Sequence, residues 1–198
     1  MTRIKLISMC AVVALSALPG YALAQTVQSE TQRDINQQQR IDQGLQNGSL
    51  STGEAAKLER GEANINRAES NALKDGSLSP AEKARIQNMQ NNESKQIYRD
   101  EHNNVTGNPN SASSERMQAD VQRNINQEQR IKQGEQSGAL TNREVGKLQG
   151  GQAHVDRREA RAGADGNVNA REQRRIQAAE NRQSKRIYHK KHNDVVKQ

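Results

Sequence analysis

The side chains best suited to holding a metal are two histidines near the end of the chain, His189 and His192. Residues three apart lie on one face of a helix, so both imidazoles can reach the same transition-metal ion. Asp194 is the nearest further ligand, and so small a ligand set selects poorly among metals. Two solvated histidines at a basic helix end are therefore the favoured interpretation, and a metal site is the alternative.

Acidic residues also follow a recurring glycine turn. The segment 75–82 reads DGSLSPAE and the segment 165–172 reads DGNVNARE. A glycine, an apolar residue two positions later and a glutamate six positions later resemble the second half of an EF-hand calcium loop. Asn71 and Arg161 stand where such a loop has its first acidic ligand, so the resemblance is partial. Weak binding of a divalent cation stays open at four carboxylates, those of Asp75, Glu82, Asp165 and Glu172.

The same kind of turn occurs four times and has the pattern of a helix start. Its glycines form two pairs that are 28 positions apart: Gly48 with Gly76, and Gly138 with Gly166. A glycine at positive φ ends one helix, a Ser, Thr or Asn three residues later caps the next, and the glutamate three residues beyond completes a capping box. Capping explains these residues without any metal, and no resident cofactor is expected.

The chain contains an internal repeat. Residues 32–105 align without a gap on residues 122–195, an offset of 90, and 35 of the 74 positions are identical. From residue 34 to 105 there are 9 basic and 11 acidic residues, a net charge of −2, whereas residues 124–195 carry 15 and 9, a net charge of +6. The two copies thus keep a common scaffold but differ strongly in charge.

Most of the basic excess falls in the last predicted helix. Its arginines recur at spacings of 3, 4, 7 and 11, which places them in one stripe. Such a stripe can bind nucleic acid, anionic lipid headgroups or acidic glycans, although a solvated arginine-rich face is the simpler interpretation. The candidate polyanion-binding residues are Arg171, Arg174, Arg175, Arg182, Lys185, Arg186, Lys190 and Lys191.

Each copy is predicted to fold as three helices, which in the first copy cover residues 30–46, 52–73 and 80–103. Only 31% of the residues are apolar, and the chain has neither Phe nor Trp. The apolar stripes are correspondingly narrow, and Tyr98 is expected to lie on one of them. The predicted fold is all-α, with two tandem three-helix units. Helical hairpins that are partly disordered, or that need a homo-oligomer or another partner, are the alternative.

Catalysis has little support in the sequence. It contains no GxSxG, no HExxH and no phosphate-binding glycine loop. The acid pair Glu59 and Glu62 is expected on a wet surface, where nothing shifts a carboxyl pKa towards a catalytic value. We therefore expect a protein that is not an enzyme.

The N-terminus has the pattern of a secretory signal peptide. Arg3 and Lys5 precede an apolar stretch, and Ala22 and Ala24 are the small residues that precede a cleavage site. Cleavage after Ala24 removes Cys10, the single cysteine, and leaves no transmembrane anchor. The predicted organisation is a signal peptide at 1–24, a first unit at 25–105, a linker at 106–114 and a basic second unit at 115–198.

The phrases QQQRIDQG, NGSLSTGEAAKLERGEANINR and SKQIYRDEHN resemble small repeat-containing exported helical proteins of Gram-negative bacteria. The resemblance implies localisation and helical repeats, and it brings no known activity or site residue. The sequence thus predicts a periplasmic or secreted structural or interaction module, which docks on a protein or polyanion through its basic second copy. The alternative is a periplasmic cation-binding protein that uses the EF-hand-like turns and the C-terminal histidines.

Overall fold

The computed structural model describes residues 19–193, with side chains from Val27 onward. This part of the chain is all-α, as predicted, and contains six helices and no strand. The helices are α1 (Pro19–Asn47), α2 (Thr52–Ala72), α3 (Pro80–Glu101), α4 (Ala112–Gln136), α5 (Asn142–Ala162) and α6 (Ala170–Lys191). Most of the predicted signal peptide, residues 1–18, lies outside the described residues, and so does Asp194. None of the described helices is both long and apolar enough to cross a membrane.

The predicted helix starts are confirmed at all four glycine turns. The φ angles are 79° at Gly48, 89° at Gly76, 67° at Gly138 and 83° at Gly166. A complete capping box follows each glycine, in which the N-cap side chain accepts from the glutamate N–H and the glutamate accepts from the N-cap N–H. The four boxes pair Ser51 with Glu54, Ser79 with Glu82, Thr141 with Glu144 and Asn169 with Glu172.

The most extensive helix interface joins α2 to α5, and the next joins α1 to α4. Helices α2 and α5 run antiparallel, because Gly163 lies against Ala56 near one end of the pair and Gly146 lies against Leu73 near the other. A Cβ added to either glycine would come within 2.8 Å of the facing residue, so these glycines allow the close approach. The two contacts exchange under the offset of 90, which relates the repeats by an approximate twofold axis.

Each of the two apolar clusters draws on both repeats. One places Ile41 and Leu45 of α1 in the same cluster as Met117 and Val121 of α4. The other brings together Leu73, which follows α2, with residues of α4, α5 and α6. The expectation that each copy packs as a bundle of its own is therefore not confirmed, because the helices of the two copies share their cores.

Tyr98 was expected on an apolar stripe, and this was wrong. Its side chain is 59% exposed, and Tyr188 at the equivalent position is 58% exposed. Each ring stacks on a histidine one turn later, with centroids 4.2 Å apart for Tyr98 and His102 and 4.3 Å for Tyr188 and His192. The neighbouring Ile97 and Ile187 are buried instead and hold α3 and α6 against the bundle.

Candidate functional site

The predicted polyanion-binding residues all lie on α6, an outer helix of the bundle. Lys190 and Lys191 at its end are half-buried, and Lys190 approaches Glu144 at 3.7 Å. The other six are exposed: Arg171, Arg174, Arg175, Arg182, Lys185 and Arg186. Sequence spacing grouped these cations by helix, and the structure adds a second helix to the same surface.

Arginines of α5 and α6 converge on His154 of α5. Partial burial lowers the pKa of this imidazole, and so do the charges of four guanidinium groups. They belong to Arg157 and Arg158 of α5 and to Arg182 and Arg186 of α6. The Arg158 Nε donates to His154 Nε2 at 3.1 Å, which requires an unprotonated acceptor nitrogen. We call these five residues the basic face.

The basic face continues into an open groove between the same two helices. Arg158, Arg161 and Arg175 line it, together with the side chain of Glu172. Among residues 27–193, ion pairs join Arg40 to Glu101, Arg123 to Glu180 and Lys190 to Glu144. None of these pairs involves the basic face, so its charges are balanced by no direct carboxylate contact within the described chain.

The first repeat shows the same scaffold without these charges. Its counterparts of His154, Arg158, Arg182 and Arg186 are Asn64, Ala68, Asn92 and Gln96, all neutral, and only Arg157 has a basic counterpart, Arg67. The helices and their caps are nevertheless retained. The basic face is therefore not needed to build the fold.

The acidic turn residues proposed as calcium ligands take part in local hydrogen bonds. Asp75 Oδ1 accepts from Ser77 N at 2.9 Å and from Ser77 Oγ at 3.0 Å, which lowers the Asp75 pKa. Glu82 Oε2 accepts from Ser79 N at 3.0 Å, as its capping box requires. The turn at Asp165 repeats this: Asp165 Oδ1 accepts from Asn167 N at 2.9 Å, and Glu172 Oε2 accepts from Asn169 N at 2.9 Å.

The two C-terminal histidines contact Tyr188. His192 Nδ1 donates to the Tyr188 carbonyl at 2.7 Å, and the His189 ring meets the Tyr188 ring edge-on. His102 makes the same bond to the Tyr98 carbonyl at 2.8 Å in the first repeat, where no second histidine is present. The shared Tyr–His contact thus accounts for His192 as part of the helix end.

Glu59 and Glu62 were expected on a wet surface, and this was wrong. Glu59 is 0% exposed and Glu62 is 1% exposed, because α2 packs against α5 and also contacts α1, α3 and α4. Burial raises the pKa of Glu59 to about 7, although hydrogen bonds with Gln38 and Glu159 act in the opposite direction. Sequence reasoning missed a polar interior. Its other acidic members include Asp34, Glu69, Asp120, Glu128, Asp156, Glu159 and Glu180.

One signal in the sequence does mark this interior. At several buried positions the repeats exchange an acid for the amide of the same shape: Glu59 for Gln149, Glu62 for Gln152, and Glu128 for Gln38. Exposed positions differ more freely, as with Arg182 and Asn92. A protonated glutamic acid and a glutamine have nearly the same shape and no charge, so such an exchange fits a close-packed interior.

Comparison of the chain with family models, with curated proteins and with solved structures gives no match. The ligand-type groups that converge in the described chain are those of Glu59, Asp156 and Glu159, whose carboxylate oxygens lie within 4.8 Å of one another. None of the six residues proposed as metal ligands from the sequence belongs to this group.

Proposed function

We propose that this protein is a non-enzymatic binding module that docks on a polyanion through its basic face. The observation that carries the proposal is the hydrogen bond from Arg158 to His154 at 3.1 Å, together with the charges of Arg157, Arg182 and Arg186 that lower the pKa of that imidazole. Like charges held together from two helices repel each other, so the arrangement costs free energy in the free protein. A bound anion offsets this repulsion and is itself attracted by the clustered positive charges.

The chemistry of the face indicates its class of ligand. Guanidinium groups bind sulfate, phosphate and carboxylate oxygens through paired N–H donors, and several in a row suit a repeating anion better than a single ion. The groove lined by Arg158, Arg161 and Arg175 extends the surface along α5 and α6. The first repeat supports the proposal, since its scaffold keeps only one of the four arginines of the basic face, as Arg67.

Retention of the full chain on immobilised heparin, with elution by salt, tests the proposal. The variant R158A/R182N/R186Q introduces the residues of the first repeat, so it should keep the fold. We expect it to elute at clearly lower salt than the parent, because phosphate or sulfate contacts are lost and fewer counterions are released.

A matched control removes the same charge elsewhere. K57Q/R60Q/K74Q neutralises three exposed cations of the first repeat and should elute close to the parent. Equal shifts for both triple variants would mean that only net charge matters, and the proposed face would be abandoned. Binding of duplex DNA, heparin and vesicles with anionic lipid, compared at one ionic strength, then identifies the class of polyanion.

The proposal includes export to the periplasm or beyond it, supported by the predicted signal peptide. Sequencing the N-terminus of protein recovered from a periplasmic extract tests this part, and the expected first residue is Gln25. A mature chain that begins at Met1 would contradict it. The same surface also suits docking on a protein partner and self-association. Sedimentation at several protein concentrations measures self-association.

A further inference from the structure

Four buried carboxyl groups meet at one end of the contact between α2 and α5. Glu59 and Glu62 come from α2, and Asp156 and Glu159 come from α5. Each of the four side chains is at most 1% exposed. We call these residues the central acidic cluster. Desolvation raises the pKa of every member, and mutual repulsion adds to the effect for Glu62, Asp156 and Glu159.

An amide holds one oxygen of three of these carboxylates. Gln38 Nε2 donates to Glu59 Oε2 at 3.1 Å, Asn66 Nδ2 to Asp156 Oδ2 at 2.8 Å, and Asn124 Nδ2 to Glu159 Oε2 at 2.8 Å. The second oxygens receive no amide, hydroxyl or amine donor among the described residues; they are Glu59 Oε1, Asp156 Oδ1 and Glu159 Oε1. The contact between Glu59 and Glu159 is one between two carboxyl groups. Outer groups that orient ligands, with ligand atoms left free inside, are the usual organisation of a metal site.

Glu62 supplies an independent sign of a ligand. It is the one member without an amide partner, and neither of its carboxylate oxygens has a hydrogen-bond partner within the described chain. It lies one helical turn beyond Glu59. Burial raises its pKa, and so do the charges of Asp34, Glu93, Glu59 and Asp156. A buried carboxylate without donors is costly unless a proton or a cation neutralises it.

The opposite end of the same contact shows what packing alone requires. The repeat places Gln149, Gln152, Asn66 and Glu69 at the positions equivalent to Glu59, Glu62, Asp156 and Glu159. Three of the four carboxyls are thus replaced by amides, and the helices still approach closely. Gln152, like Glu62, has no hydrogen-bond partner among the described residues, but it carries no charge. The acids of the central acidic cluster are therefore not needed for shape.

We propose that the central acidic cluster binds one calcium ion inside the bundle. All the available ligand atoms are carboxylate oxygens, which hard divalent cations prefer and softer transition metals do not. Two ligands on opposite sides of a calcium ion lie about 4.6 to 5.2 Å apart, given Ca–O distances of 2.3–2.6 Å. One carboxylate oxygen from each of Glu59, Asp156 and Glu159 lies within 4.8 Å of the other two, so one ion can contact all three.

The proposal is independent of the basic face and differs from a site at the EF-hand-like turns. Its test is the thermal unfolding of the full chain at pH 7.5, in EDTA and in millimolar calcium. A ligand that binds only the folded state stabilises it in proportion to the logarithm of its concentration. We expect saturating calcium to raise the Tm by about 5 °C or more.

Two matched variants locate the effect. Glu59→Gln and Glu128→Gln each remove one buried carboxyl that is hydrogen-bonded to a glutamine, Gln38 in the first case and Gln149 in the second. Only the first removes a proposed ligand. The calcium-dependent rise in Tm should persist in E128Q and disappear in E59Q. Equal responses in the two variants would overturn the proposal.

Equilibrium dialysis with labelled calcium gives a result that does not depend on unfolding. The parent and E128Q should bind one calcium ion per chain at pH 7.5, and E62Q should bind it at least about tenfold more weakly, as expected for the loss of a group that lies beside the ligands. An absence of bound calcium in the parent at millimolar concentration would overturn the site. Calcium bound equally by parent, E59Q and E62Q would do the same, because it would place the ion elsewhere.

Discussion

The two ends of the α2–α5 contact are equivalent by the repeat, yet one end is acidic and the other is rich in amides. Glu59 and Glu62 on α2 correspond to Gln149 and Gln152 on α5. The backbone, the helix caps and the close glycine contacts are common to both ends. The comparison separates shape from charge: an amide and a carboxyl fill the same space, but only the carboxyl can take up a proton or a cation.

The residues of α1 and α4 that contact these positions show the reverse distribution of acids and amides. At the acidic end, Gln38 of α1 donates to Glu59 at 3.1 Å, whereas at the other end Gln149 of α5 donates to Glu128 of α4 at 3.2 Å. Each pair keeps one amide and one acid, with the roles exchanged. At the acidic end, oxygens of three acids come within 4.8 Å of one another, and no comparable group forms among the described residues at the other end.

The largest expected effect is that of pH on the free energy of unfolding. Burial raises the pKa of Glu59 from 4.5 to about 7, so the folded chain holds a proton that the unfolded chain releases. The free energy of unfolding then falls as the pH rises from about 4.5 to about 7, by about 3 kcal/mol for one such group. Thermal unfolding in EDTA, followed by circular dichroism from pH 5 to pH 8, should show a decreasing Tm.

Other acidic groups around Glu59 act in the same direction. Those whose charges or hydrogen bonds couple to it come from four helices: Glu62 of α2, Glu93 of α3, Asp120 of α4, and Asp156 and Glu159 of α5. The raised pKa values are about 7 for Glu93 and about 8 for Asp120. A Tm that is constant or increases between pH 5 and pH 8 would show that these carboxyls are not buried as described.

Exchanging the residue types at positions 62 and 152 should have an intermediate effect on the free energy of unfolding. Glu62→Gln places the residue of the amide end at the acidic end and removes a buried charge without donors. In EDTA at pH 7.5 we expect it to raise the free energy of unfolding by about 1 to 3 kcal/mol. Gln152→Glu should lower it by a similar amount. Urea unfolding measures both.

Measurement at low pH gives an internal control for the variants E62Q and Q152E. At pH 4.5 the buried carboxyl is protonated, so the two variants should differ little from the parent. A loss of stability in E62Q at pH 7.5 would contradict the idea that charge, and not shape, distinguishes the two ends.

The smallest effect concerns the helix caps, where the two repeats should behave alike. Ser79 Oγ accepts from Glu82 N at 3.3 Å, and Asn169 Oδ1 accepts from Glu172 N at 3.0 Å. Ser79→Ala and Asn169→Ala should each lower the free energy of unfolding by about 1 kcal/mol, the usual cost of losing an N-cap. Clearly unequal losses in urea unfolding would mean that these turns have a role beyond capping.

The local structure could be read from the sequence because its causes are local. Positive φ at Gly76, the cap at Ser79 and the start of α3 at Pro80 follow from residues within a few positions of one another. Narrow apolar stripes were also expected, and Ile41 of α1 and Ile86 of α3 are buried in such stripes. Tyr98 was misplaced because a helical stripe does not show which of two adjacent apolar residues faces the bundle.

The candidate sites depended on contacts between distant segments and were predicted only in part. The arginines of α6 were found from their spacing, but their meeting with Arg157 and Arg158 around His154 requires α5 beside α6. Glu59 and Glu62 look like surface residues until α5 covers them. Asn66 and Asp156 meet across the repeat at 2.8 Å, and no pattern within one copy indicates that contact.

The contact between Asn66 and Asp156 also has a consequence for how this molecule could diversify. If the repeats were separate identical subunits, the residue at the twofold axis would always face its own copy, amide to amide or acid to acid. Joining both halves in one chain lifts that restriction, since each partner is encoded separately and can change alone. Broken symmetry at the axis is therefore available only to the duplicated chain, and it allows one half of an otherwise shared interior to collect negative charge.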